Sequence, residues 1–111
     1  MNKISVVVIL LLVLSVKASS QTSPAVNQAN RVAQRMTDSL SLNSVQKDSI
    51  YNISLGLNNQ KIAVRQQYAG SDSLVFKLQL TESRRDSLYR PILTDQQFQQ
   101  YIQRKLSILG N

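Results

Sequence analysis

The side chains best placed to do chemistry in this chain are cationic. Thirteen lysines and arginines stand against six aspartates and glutamates, and there is no histidine and no cysteine. Without His or Cys, the usual nitrogen and sulfur ligands of a transition-metal site are missing, and no metal or other cofactor is expected. Catalysis is disfavoured on the same ground. There is no His base, no Cys nucleophile and no glycine-rich phosphate loop, and the many serines have no base to activate them. What remains is binding. Arg31 with Arg35 and Lys61 with Arg65 are like charges four residues apart, which costs a helix a few tenths of a kcal/mol per pair. Arg31, Lys61, Arg65, Lys77, Arg84, Arg104 and Lys105 have no acid three or four residues away. Local helix stability does not account for them. A basic surface that meets an anionic or polar partner does, and a merely solvated basic face is the alternative. Arg31, Arg35, Lys61 and Arg65 are the candidate contacts.

Glutamine and asparagine are plentiful around 58–60, 66–67 and 96–103, and Tyr51, Tyr68, Tyr89 and Tyr101 add amphipathic area. That mixture suits adaptable binding better than a tight pocket. Half-buried packing is the plainer role for the tyrosines.

The start of the chain bears on the partner. Lys3 precedes an apolar run from Ile4 to Val16, broken only by Ser5 and Ser15, and small residues follow at 18–20. This is the pattern of a secretory signal peptide, cleaved after Ala18 or Ser20. The run is short of the roughly 20 residues a spanning helix needs, so no membrane anchor is expected after processing. No Cys is present for lipid attachment. Residues 1–20 are therefore assigned to the leader and 21–111 to one small domain. Removal of Lys3 and Lys17 leaves eleven basic residues against the six acidic ones. Export argues against nucleic acid as the partner. Anionic lipid head groups and non-native proteins remain, the latter drawn by charge and held by apolar contacts. A domain this small, with no disulfide, has a thin core, and a homodimer is expected.

Four segments carry helical spacing and none carries a strong strand pattern. Ser23-Pro24 reads as N-cap and N1 of a first helix, with Ala29, Val32, Ala33, Met36 and Leu40 on one stripe and an end near Ser39–Ser41. Asn43 opens a second, whose stripe is Ile50, Ile53, Leu57 and Val64 with Gln60 in register. It runs to about Ala69 and stops at Gly70, continuous through Gly56 despite poor helix formers there. Ser71 or Asp72 caps a third, with Leu74, Val75, Leu78 and Leu88 inward and Arg85 on the same stripe. Thr94 opens a fourth, with Phe98, Tyr101, Ile102 and Leu109 inward and Gly110 at its end. The fold class is all-α. The triplet Asp-Ser-aliphatic recurs at Asp38, Asp48, Asp72 and Asp86, and reads as the polar edge beside a core position.

The start of the last helix is the most fully specified. Pro91 stops what precedes it. In Leu93-Thr94-Asp95-Gln96-Gln97, Thr94 is the N-cap and Gln97 can reach back to its backbone N–H, which makes a capping box. Leu93 and Phe98 form the two ends of a hydrophobic staple, and Asp95 suits the helix dipole. A weaker copy lies fifty-one residues earlier at Leu42-Asn43-Ser44-Val45-Gln46, with Asn as the cap and Lys47 where the staple residue would be.

Two copies of Leu-Thr-x-x-Gln in a small helical chain with a leader resemble the Spy/CpxP family of periplasmic proteins. Leu93, Thr94 and Gln97 match the motif in full; Leu42 and Gln46 match it, and Asn43 departs from it. The likeness covers roughly residues 25–107. It implies about four helices in a long, curved helical-hairpin or cradle arrangement, paired as a dimer. It implies an ATP-independent chaperone that binds unfolded or partly folded clients on the concave face during envelope stress. The alternative that it implies is a regulator that binds and restrains a membrane stress-sensor kinase. The six motif residues are read as structural. Some relatives are associated with metal sensing, and the lack of His and Cys argues against that role here.

Overall fold

The computed structural model describes residues 23–110. The expected leader, residues 1–20, and its expected cleavage site lie outside the described residues. The described chain is all-α: α1 (Pro24–Leu40), α2 (Ser44–Gln67), α3 (Leu74–Glu82), the short α4 (Arg85–Tyr89) and α5 (Asp95–Leu109). Among the described residues no helix is long and apolar enough to cross a membrane.

α1 starts as its sequence dictates. Ser23 accepts a hydrogen bond from the Val26 N–H, Pro24 occupies the first turn, and Ala25, Ala29, Val32, Ala33, Met36 and Leu40 are buried. Ser41 closes it in the left-handed region (φ 56°). The next helix then folds back along α1. Asn58 reaches the Ala25 carbonyl and Lys47 reaches Gln34, so the two run antiparallel. α2 is continuous through Gly56 and ends at Gln67, two residues before Ala69; Gly70 carries the chain out at φ 75°. Its buried residues are Ile50, Ser54 and Leu57. Gln60 is exposed, one position off the buried stripe, and bonds Arg84 instead.

The expected third helix is divided. At Ser83 and Arg84 the backbone stays right-handed (ψ −17° and −16°), but the Arg84 N–H turns to Thr81 O, the tighter i→i+3 bond. Ser83 Oγ bonds Leu80 O and Thr81 Oγ1 bonds Lys77 O, local competitors of the helical ladder. Neither Ser71 nor Asp72 is the N-cap. Ser71 accepts the Ser73 N–H within the turn, and α3 begins at Leu74 without a side-chain cap.

α5 returns antiparallel to α1 and packs beside α4, where the Tyr89 and Tyr101 rings meet edge to face at 5.4 Å. Leu93 is buried, and Phe98 and Leu109 pack partly buried against the core. Ile102, expected inward, is 47% exposed, whereas Ile108 is 1% exposed. The buried face follows Tyr101 and Ile108, seven residues apart, and Ile102 lies about 100° away from it.

Candidate functional site

The two motif copies meet. Asn43 accepts the Gln46 N–H (2.8 Å) and Gln46 Oε1 accepts the Asn43 N–H (3.0 Å), a complete capping box. Thr94 and Gln97 repeat it at 3.1 and 3.0 Å. The two glutamines then join: Gln46 Nε2 donates to Gln97 Oε1 at 2.8 Å, and also to Ile92 O at 3.0 Å. Gln97 Nε2 donates to Leu40 O at 3.3 Å, a carbonyl at the end of α1. Leu42 and Leu93, which precede the caps, are both buried. All six motif residues thus form one clasp that fixes the starts of α2 and α5. Both amide atoms of Gln46 and of Gln97 have structural partners, so the two glutamines hold the helix starts in place.

The four cations named as candidate contacts take different places. Lys61 and Arg65, with Ile62 between them, line a groove of about 260 Å³ against Pro24, Ala25 and Gln28 of α1. Arg31 is exposed and donates to Gln28 at 2.6 Å, at the edge of that groove. Arg35 is half-buried and turned towards α5. It donates to Ile108 O (3.3 Å) and Gly110 O (2.7 Å), carbonyls that the helix end leaves without intrahelical partners.

Lys61 and Lys105, which lack local acids, find them in the tertiary structure. Lys61 pairs with Glu82 and Lys105 with Asp86 (2.8 Å). Arg104 bonds Ser39 O, and Lys77 lies 5.3 Å from the Tyr68 ring centroid. The basic set is therefore less available than local spacing indicated, and Arg31 and Arg65 are the most exposed of the four candidates.

A polar column explains the arginine on the apolar stripe. Arg85 is 4% exposed. Its Nε bonds Glu82 at 2.5 Å and its Nη1 bonds the Tyr89 hydroxyl at 2.7 Å, which in turn shares a hydrogen bond with buried Ser54. Burial pulls the Glu82 carboxyl up, but hydrogen bonds from Arg85 and Lys61 outweigh it and hold the pKa below the usual value. Burial raises both Tyr89 and Tyr101, whose hydroxyl donates to Asp86 at 2.8 Å. These two tyrosines are core residues, not adaptable contact area. No buried side-chain polar atom among the described residues lacks a partner.

The feature missed by spacing is apolar. Val75, Phe76 and Leu80 on α3 are 63%, 61% and 51% exposed, and Ile62 on the facing helix is also exposed. Val75 was expected inward. α3 has only nine residues, and five of the seven from Leu74 to Leu80 are apolar. Successive residues turn by about 100°, so α2 covers one side only, and Leu74 and Leu78 take it half-buried. That density was the available signal: it exceeds what one helix face can bury. Lys77 stands among these side chains, so the hairpin of α2 and α3 presents apolar groups beside a cation.

No family model, curated protein or solved structure matches the chain.

Proposed function

We propose that the chain is a non-catalytic binding protein, an exported, chaperone-like member of the Spy/CpxP type that captures unfolded or partly folded proteins without ATP. The observation that carries the reading is the solvent-facing Val75, Phe76 and Leu80 on α3. Contiguous exposed apolar side chains on a folded domain mark a contact surface. Arg65 and Arg31, on or beside the groove between α1 and α2, add positive charge that draws acidic segments before apolar contact forms. Non-native chains expose apolar residues without fixed order, and a surface of neighbouring apolar groups, cations and amides accepts them without demanding one geometry.

The motif resemblance supports the same reading, since both glutamine boxes are present and joined. It also supports periplasmic localisation and a homodimer in solution. The test is suppression of aggregation: the exported chain, in molar excess, protects several unrelated unfolding proteins, and Phe76→Ser weakens that protection while leaving the helical circular dichroism spectrum in place.

A further inference from the structure

We propose that the open end of the helix assembly, where α1 begins and α5 ends, binds a small amphipathic carboxylate, its head group among cations and its alkyl chain along the end of α5. A cleft of about 370 Å³ lies there, distinct in lining from the α3 patch and within the size range of small-ligand sites. Lys61, Arg85 and Lys105 line it, with Glu82 as the one carboxylate in its wall among the described residues. Glu82 serves two of these cations at once, Lys61 and Arg85. Lys105 is served by Asp86, which also accepts the Tyr101 hydroxyl. With both acids counted, three cations face two carboxylates among the described residues, an excess of one positive charge in a half-enclosed site.

The donors match that excess. An ammonium has three N–H groups. Lys61 gives one to Glu82 and Lys105 gives one to Asp86, so both hold further donors for an incoming carboxylate. Charge-assisted bonds of this kind are stronger than neutral ones. Arg85 is locked by Glu82 and Tyr89 and contributes field rather than a moving contact. The apolar part is supplied by Leu106 and Leu109, which line the same cleft; Leu106 is 89% exposed, among the most exposed large apolar side chains described. A cationic floor beside two leucines fits a molecule with one anionic end and one alkyl end. A free phosphate would leave the leucines in water, and a neutral alcohol would leave the excess charge uncompensated.

The test is titration of the exported chain with decanoate below its micelle threshold, followed by backbone amide NMR shifts. Decanoate is expected to saturate, with shifts at Gln28, Asn58, Lys105 and Leu109. Decanol and decyltrimethylammonium at equal concentration are expected to bind at least tenfold more weakly. Lys105→Gln is expected to raise the decanoate Kd about tenfold, the equivalent of about 1.4 kcal/mol. Lys47→Gln, whose ammonium bonds Gln34 away from the cleft, leaves Kd unchanged. Should Lys105→Gln unfold, Leu106→Ser tests the alkyl half, with the same tenfold expectation. Shifts confined to residues 74–80, equal binding of the cationic amphiphile, or no saturable binding would each overturn the proposal.

Discussion

Gln46 and Gln97, fifty-one residues apart, are joined by a hydrogen bond of 2.8 Å from Gln46 Nε2 to Gln97 Oε1. Each is also the back-reaching residue of its own capping box. Two local signals are thereby made into one tertiary contact, which couples the start of α2 to the start of α5. Gln46→Ala and Gln97→Ala are each expected to cost about 1–3 kcal/mol, since each leaves half-buried partners unmade. The double variant is expected to cost less than the sum, with a coupling of about 0.5–3 kcal/mol. Chemical denaturation of the four proteins checks it; strict additivity would show that the two boxes act separately.

Thr94 caps α5 through its hydroxyl, which accepts the Gln97 N–H. Thr94→Ala is expected to cost roughly 1 kcal/mol, which in a domain of this size is about 4–8 °C in Tm. Thr94→Ser, which keeps the hydroxyl, is expected to be nearly neutral. Thermal melts decide it, and equal losses from both changes would remove the capping account.

Arg35 holds the end of α5. Arg35→Ala removes two bonds to the carbonyls of Ile108 and Gly110 and is expected to cost about 1 kcal/mol or somewhat more. Amide hydrogen exchange over 104–109 is expected to accelerate first. Arg31→Glu and Arg65→Glu, at exposed positions, are expected to leave exchange there unchanged.

Glu82 makes stability depend on acid. Its folded pKa lies below its ordinary value, so the folded state gains from the carboxylate above the unfolded pKa, about 4.3, and loses that gain as pH falls through the folded value. The Tm of the natural chain is expected to fall from pH 5 to pH 3. Glu82→Gln is expected to start lower at pH 7 and to fall less steeply. A parallel decline in both proteins would assign the acid sensitivity elsewhere.

Most of the fold was legible because local rules and global packing agree. Ser23-Pro24, Asn43 to Gln46 and Thr94 to Gln97 each specify a helix start, and all three are starts. The stripe of α1 is wholly buried as its spacing requires. What was not legible depends on partners far along the chain. Nothing near Lys61 or Lys105 foretells Glu82 or Asp86, because those pairs form only when antiparallel helices are in register. The break at Ser83 has no proline or glycine to announce it and rests on hydroxyls that compete for carbonyls. Of the candidate site, the cations of Lys61 and Arg65 were legible, and the apolar surface of α3 was not, since spacing names an apolar face without saying whether anything covers it.

The central claim is that the exposed side chains of α3 capture non-native protein. The measurement is light scattering from several unrelated unfolding proteins, at low salt, with residues 21–111 in molar excess, compared with a Val75→Ser, Phe76→Ser, Leu80→Ser variant. These positions are mostly in solvent, so the variant is expected to keep its helical spectrum. Wild type is expected to suppress aggregation of every client, more slowly as salt approaches 0.1 M, where exposed charges are screened beyond about 10 Å. The variant is expected to lose most of that protection. A wild-type chain that protects none of these clients, or a folded variant that protects as well as wild type, would contradict the account.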